Sequence, residues 1–290
     1  MWLLFLIDII IPLLLGIMLF TLLERKLQGI IQHRIGPNVV GILQPLVDGL
    51  KLLIKDILIP QKSLLILFII SPILSFILSL SLWIVIQLID NLFGILILLA
   101  IGSLEIYGIL LGGFAAKNKY TLIGIIRTTS QLISYELILG MIYFIMALSV
   151  GSFRLYYFNL NIFYNIYIFF PLYLISIFVM LAETNRAPFD LPESESESVG
   201  GFLTEHSGII FALYFLAEYG NMLILSYLFS LLFTTSYYLL PLHIFFFIWV
   251  RATLPRIRFD HLLKVCWYDL IPLVLSILIL AYSIIFLCLF

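Results

Sequence analysis

Apolar runs long enough to cross a lipid bilayer recur along this sequence, and they constrain its fold more than any other feature. Of the 290 residues, 63% are hydrophobic and only 11% are charged. A soluble domain is about half apolar and about a quarter charged. The composition therefore excludes a water-soluble enzyme. It also excludes a disordered chain, which would be poor in large apolar residues.

The spacing of these runs predicts eight membrane-spanning helices. A helix needs about 20 apolar residues to cross the hydrocarbon core, and most of the runs reach that length. We therefore expect an all-α polytopic membrane protein, with residues 1–290 forming a single membrane domain. The predicted spans are 2–22, 64–89, 92–116, 132–150, 166–182, 208–235, 237–250 and 269–289.

The basic residues divide the connecting segments between two faces. With eight spans, 14 of the 15 lysine and arginine residues fall on one face. This asymmetry follows the positive-inside rule and places both termini on the opposite face. The long polar loops share the positive face, so we expect partners to dock there. These loops are 23–63, 117–131, 183–207 and 251–268.

The sequence lacks the motifs that hold redox groups or nucleotides. Cys266 and Cys288 form no CxxC pair, and two isolated thiols cannot build an iron–sulfur or zinc site. The four histidines are scattered, and there is no GxGxxG or GxxxxGK motif. We expect no metal, flavin or haem on this chain, so any electrons must be carried by another subunit. The net charge of −1 gives no case for nucleic-acid binding.

Acidic residues lie inside the predicted membrane region. Each is costly in hydrocarbon and is a functional candidate for that reason. No lysine or arginine lies deep in a span, so these acids are expected to be protonated part of the time or reached by water. They suggest a proton path, although one or two could merely hydrogen-bond between helices. The acids are Asp8, Glu105, Glu136 and Glu218 within spans, and Glu183 at a span end.

The first positive-face loop combines charges, a turn and an amphipathic segment. Glu24-Arg25-Lys26 follows the first span, and Gly36-Pro37-Asn38 predicts a turn. Residues 44–57 have the pattern of an amphipathic helix, with Asp48 and Lys51 on one face. Such a helix could lie flat at the membrane interface or roof a cavity with these two side chains pointing inward.

The third positive-face loop is acidic. Glu183 and Arg186 are spaced to pair on one helical turn, and Pro188 prevents an uninterrupted helix beyond them. This acidic loop is either solvated or forms a cluster of carboxyls whose coupled titrations could load protons. Its further acids are Glu193, Glu195, Glu197 and Glu205. In the third span, Gly108 and Gly112 form a GxxxG pair that predicts close helix packing.

Six long motifs resemble the quinone-chamber membrane subunit of NADH:ubiquinone oxidoreductase, respiratory complex I. They read ERKxxGxxQxRxGPNxVG (24–41), LQPxxDxxKL (43–52), KYxLIGxxRxxxQxISYE (119–136), AETNRxPFDLxExESE (182–197), AEYxN (217–221) and WVRATLPRxRxD (249–260). The resemblance covers nearly the whole chain. It implies a core subunit of a proton-pumping enzyme that uses ubiquinone as substrate.

The resemblance also implies roles for individual residues. It assigns none to Glu105, because relatives usually have a small uncharged residue there, and Glu205-His206 stands where Glu-Tyr is usual. The implied quinone-binding residues are Glu24, Arg25, Arg34, Asp48, Lys51, Arg186, Phe189 and Asp190. The implied proton-coupling residues are Glu136, Glu183, Glu193, Glu195, Glu197 and Glu218.

The resemblance implies partners and a location as well. NADH, flavin and iron–sulfur clusters would sit in peripheral-arm subunits, and antiporter-like membrane subunits would continue the proton path. A chain rich in Ile, Leu, Phe and Tyr without a targeting signal favours an organelle-encoded protein of the mitochondrial inner membrane over a bacterial membrane protein.

Two alternative functions stay open beside the complex I subunit. They are a stand-alone proton or ion transporter and the homologous subunit of a membrane-bound hydrogenase.

Overall fold

The structure, a computed structural model, is helical over most of the residues that it describes. It describes residues 2–38, 41–87, 91–160, 170–190, 203, 205–234 and 237–289. These residues contain no β-strand, which confirms the all-α class. The helices are α1 (Trp2–Ile31), α2 (Gln44–Ile54), α3 (Leu65–Gln87), α4 (Gly94–Ala116), α5 (Lys119–Val150), α6 (Leu155–Leu160), α7 (Phe170–Glu183), α8 (Gly208–Phe229), α9 (Leu240–Thr253), α10 (Phe259–Lys264) and α11 (Ile271–Leu289).

Five helical segments within the described residues are long and apolar enough to cross a membrane. They match the second, third, fourth, sixth and eighth predicted spans. Two shorter apolar helices, α7 and α9, match the fifth and seventh, and α1 covers the first. The five segments are Leu65–Gln87, Gly94–Ala116, Lys119–Val150, Gly208–Phe233 and Phe259–Ser283. The chain is thus a multi-pass membrane protein, and the full count of eight stays a prediction.

Several helices run past the predicted ends of their spans. Helix α1 continues to Ile31, and α5 already begins at Lys119, where the Asn118 side chain accepts a hydrogen bond from the Tyr120 amide. Residues 259–289 are helical throughout, by way of a π-helical segment. The predicted span ends therefore do not coincide with the helix ends, because charged residues end a membrane span without ending a helix.

Small residues bring α3, α4 and α8 together. A Cβ added at Gly108 would lie 3.0 Å from the Ser75 side chain of α3. One added at Gly112 would collide with the Tyr214 hydroxyl of α8, which donates a hydrogen bond to the Gly108 carbonyl at 3.2 Å. The helix-packing role predicted for the GxxxG pair is confirmed.

The amphipathic helix is present as α2, which ends at Ile54 rather than at residue 57. It packs against α1 and α8 and has no buried residue. Asp48 turns toward α1, whereas Lys51 is exposed, so the two side chains do not point into one cavity together. Leu50 and Leu53 are each 57% exposed. This uncovered apolar face matches a helix lying at a membrane interface.

Candidate functional site

A buried carboxylate, Glu24, is the centre of a charged network. The Tyr219 hydroxyl donates a hydrogen bond to its Oε2 at 2.6 Å, and the Arg251 guanidinium donates to its Oε1. The Arg186 guanidinium lies 3.9 Å from the same Oε1. Burial alone would raise the pKa of Glu24, but the two arginines and the hydroxyl outweigh burial and hold that pKa below its usual value. Three elements distant in sequence are thus joined through one carboxylate.

Arg186 lies in an aromatic and acidic enclosure. Its guanidinium stands 4.2 Å from the centre of the Tyr219 ring, a cation–π geometry, and its side chain is 7% exposed. Helix α7 ends at Glu183, so no helical turn carries both Glu183 and Arg186. The predicted i,i+3 pairing on one turn was therefore wrong, because the chain turns after Glu183 and directs Arg186 toward Glu24.

The segment 184–190 is held between α5 and the residues that follow α9. Gln131 donates from its side-chain amide to the carbonyls of Ala182, at 2.8 Å, and Phe189, at 3.2 Å. Phe189 is 1% exposed and packs on Phe178. Arg256 binds Asp190 at 3.2 Å. Phe189 and Asp190, both predicted quinone residues, therefore sit in a fixed segment next to Arg186.

The remaining predicted quinone residues form an outer group. Arg25 and Asp48 form a salt bridge between α1 and α2, and Gln44 also donates to Asp48 at 3.2 Å. Arg34 and Lys51 are exposed, and Arg34 donates to the Gln32 side chain. The predicted set thus divides into the buried residues around Glu24 and a solvent-facing group on α1, α2 and the turn between them.

Four membrane acids line one internal cavity of about 100 Å³. The cavity lies between α3, α4, α5 and α8 and the end of α7. Of the predicted proton-coupling residues, Glu136, Glu183 and Glu218 are brought together here, and Glu105 is the fourth acid. Asp8 is not among them, because its side chain is exposed on α1. The fold therefore gathers acids from three predicted spans and one span end around a single space.

Glu136 also faces outward. It lines a second, more open groove with residues of α4, α5 and α11, among them Leu99, Phe144 and Leu278. Gly102 of α4 approaches it closely, since a Cβ there would lie 3.9 Å from Glu136 Oε1. This carboxyl therefore lies between the internal cavity and the side of the helix bundle.

Three predicted acids lie outside the described residues, namely Glu193, Glu195 and Glu197. In the same loop, Glu205 accepts a hydrogen bond from the Asn118 side chain at 2.6 Å. Its neighbour His206 is buried, stacks on the Phe68 ring at 4.4 Å, and has a pKa lowered to about 4 by burial. Within the residues that the structure describes, no group of three His, Cys, Asp or Glu side chains could hold a metal ion.

Sequence reasoning missed several residues of the charged network. Arg251 and Tyr219 bind Glu24, Arg256 binds Asp190, and Gln131 fixes the segment between them. All four fall inside motifs that carry the resemblance. The available signal was thus their place in WVRATLPR, AEYxN and RxxxQxISYE, but no spacing rule connects residues more than fifty positions apart.

Comparisons with known proteins give the family of this chain. Residues 4–282 match the family described as NADH dehydrogenase. The chain is 44% identical over 286 residues to NADH-ubiquinone oxidoreductase chain 1 of Hyaloraphidium curvatum, covering 94% of this chain and 95% of that protein. It is 41% identical to chain 1 of Metridium senile, covering 96% and 91%. It is 40% identical to an NADH-quinone oxidoreductase subunit of Paramagnetospirillum magneticum, covering 95% and 89%. The chain therefore belongs to the NADH dehydrogenase family of membrane subunits of NADH-quinone oxidoreductases.

Proposed function

We propose that this chain forms the quinone-binding chamber of a proton-pumping NADH:quinone oxidoreductase, together with the first part of its proton-coupling path. The proposal rests on one observation: residues 183–186 link the acidic cavity to the charged network. Glu183 lines the acidic cavity, and three residues later Arg186 joins the buried Glu24 network. A change in charge beside Arg186 therefore reaches a cavity carboxyl across a few residues of the chain.

We assign the substrate end of the chamber to the solvent-facing group on α1 and α2 and to the segment 184–190. Arg25, Asp48 and Arg34 line the approach, and Arg186, Phe189 and Asp190 stand further in. Arginine stays charged in any surroundings, so each arginine of the chamber must be paired with an acid or face water. Arg25 is paired with Asp48, and Arg34 faces water. A polar approach of this kind suits the headgroup of ubiquinone, whereas the exposed apolar face of α2 suits its isoprenoid tail.

The coupling step follows from electrostatics. Reduction of quinone to quinol takes up two protons and changes the charge of a low-dielectric chamber. A Coulomb interaction of a few kcal/mol corresponds to a pKa shift of about two units. We infer that this change shifts the protonation of Glu183, Glu136 and Glu218, which exchange protons in the cavity. We also assign three loop acids to the same path, namely Glu193, Glu195 and Glu197.

The partners and location follow from the family. The chain holds no cofactor in this proposal, and ubiquinone is the shared substrate. Peripheral-arm subunits with the quinone site and the iron–sulfur clusters would dock on the positive face. Antiporter-like membrane subunits would receive the protons, for which the groove outside Glu136 offers an exit. The eukaryotic relatives favour the mitochondrial inner membrane.

Arg34→Ala tests the substrate end. We expect a higher apparent KM for ubiquinone in the assembled enzyme, by about tenfold if one charge-assisted contact is lost. NADH oxidation by a hydrophilic artificial acceptor should be unchanged, because that reaction bypasses the chamber. Lys62→Ala, which removes an exposed cation from the same face, is the matched control. Equal loss of both activities in assembled enzyme would contradict the assignment.

A further inference from the structure

Glu105 is the cavity carboxyl that the resemblance leaves without a role. It lies in the middle of α4, and the Asn221 side chain of α8 donates a hydrogen bond to its Oε2 at 2.6 Å. Its other oxygen, Oε1, is buried and has no hydrogen-bond partner among the described residues. A buried polar atom without a partner is uncommon and calls for a physical reason.

The surroundings of Glu105 are acidic and polar. Glu136 reaches the same stretch of α4, since Gly102, one turn before Glu105, is the residue it approaches. Glu105, Glu136, Glu183 and Glu218 all line this one cavity. Tyr143 and Asn221 also line the cavity, and each has a buried side-chain oxygen without a partner within the described residues.

The cavity offers room for water and no countercharge. Its volume of about 100 Å³ holds several water molecules, and several unpartnered oxygens line it. No described lysine or arginine is among its lining residues. An ionised Glu105 would be a buried charge without a cation, which costs several kcal/mol, whereas a neutral carboxyl has an O–H group to donate.

We propose that Glu105 is a fourth proton-holding residue of this cavity, positioned by Asn221 and exchanging its proton through water with Glu136 and Glu183. In each exchange the O–H bond of Glu105 breaks, water passes the proton on, and an O–H bond forms on a neighbouring carboxylate. The reverse transfer restores it. The inference rests on the proposed function of the cavity and adds to it a residue outside the family pattern.

Glu105→Gln in the assembled enzyme tests this. The amide keeps the volume and an oxygen to accept the Asn221 hydrogen bond, but it removes the exchangeable carboxyl proton. We expect ubiquinone reduction to fall about two- to tenfold, the effect of removing one member of a coupled network. The infrared difference spectrum between oxidised and reduced enzyme should lose part of its protonated-carboxyl band. Asp8→Asn, which changes an exposed acid of α1, should leave both unchanged.

The outcomes separate this inference from the function on which it rests. If Glu183→Gln impairs coupling while Glu105→Gln leaves the rate or the band unchanged, Glu105 holds no exchanged proton and only this inference is overturned. If neither variant changes coupling, the proposed function itself is overturned. Should Glu105→Gln fail to assemble, Asn221→Ala keeps the carboxyl and removes its donor. The carboxyl band should then shift, and an unshifted band overturns the inference.

Discussion

At the scale of single residues, the site depends on pairing buried charge. Glu24 is 4% exposed and is satisfied by one hydroxyl and two guanidinium groups drawn from α8, α9 and the segment after α7. Removing one partner from a buried ion pair is far more costly than removing a surface pair, because the other charge stays behind. The arginines around Glu24 are therefore the residues whose loss should matter most.

Arg251→Ala should disable quinone reduction through this network. Loss of the closer guanidinium leaves Glu24 buried with a weaker countercharge, at a cost of about 3 kcal/mol. We expect less assembled enzyme on a blue-native gel and low ubiquinone reduction in what remains. Arg258→Ala removes an exposed arginine seven positions later and serves as control. Full assembly and normal turnover in Arg251→Ala would contradict a structural and coupling role for the network.

His206 should make the start of α8 sensitive to acid. Its pKa is lowered to about 4 in the folded chain, against 6.5 when unfolded. The unfolded state therefore binds more protons between these values, and stability is lost as the pH falls from 6.5 toward 4, by about 2 kcal/mol at pH 5. Hydrogen exchange at the first turns of α8 should accelerate on acidification relative to His206→Phe. Equal acid sensitivity in both proteins would show that His206 is not responsible.

At the scale of helices, α3, α4 and α8 are held together by close backbone approach. Gly112 faces Tyr214, and the Tyr214 hydroxyl in turn reaches the Gly108 carbonyl. In lipid, where the hydrophobic effect does not drive helices together, small residues and interhelical hydrogen bonds do so. The acids Glu105 and Glu218 lie on two of these helices, so the packing also sets the geometry of the cavity.

Gly112→Ala should loosen this packing. The added methyl group would occupy the place of the Tyr214 hydroxyl, and overpacking of this kind costs about 1–3 kcal/mol. We expect a lower melting temperature of the detergent-solubilised enzyme. Gly16→Ala provides the control, since a Cβ there meets nothing within 4 Å and alanine favours helix. If Gly112→Ala melted at the same temperature as Gly16→Ala, the close approach of Gly112 and Tyr214 would be ruled out.

Much of the helical layout could be predicted because a lipid bilayer imposes a length on every span. Five of the predicted spans and the GxxxG contact followed from the pattern of apolar and small residues. The helix ends could not be predicted in this way, because α1 and α5 include charged residues that hydropathy assigns to loops. Arg186 could be placed on a loop but not against Glu24, because a contact across 162 positions leaves no local periodicity.

At the scale of the whole molecule, the charged network and the acidic cavity are neighbours joined by the residues after α7. The cavity lies within the bundle and reaches its side at Glu136. In the proposed function, an event at one end of this arrangement alters protonation at the other. Glu183 lines the cavity three positions before Arg186, which joins the network.

Glu183→Gln, studied in enzyme reconstituted into proteoliposomes, tests this central claim most directly. The substitution keeps the side-chain volume and removes the titration, while Asp8→Asn controls for loss of a carboxyl elsewhere in the membrane region. We expect ubiquinone reduction and proton pumping to fall together, with NADH oxidation by a hydrophilic artificial acceptor intact. Unchanged turnover with an unchanged ratio of protons to electrons would remove Glu183 from the coupling path.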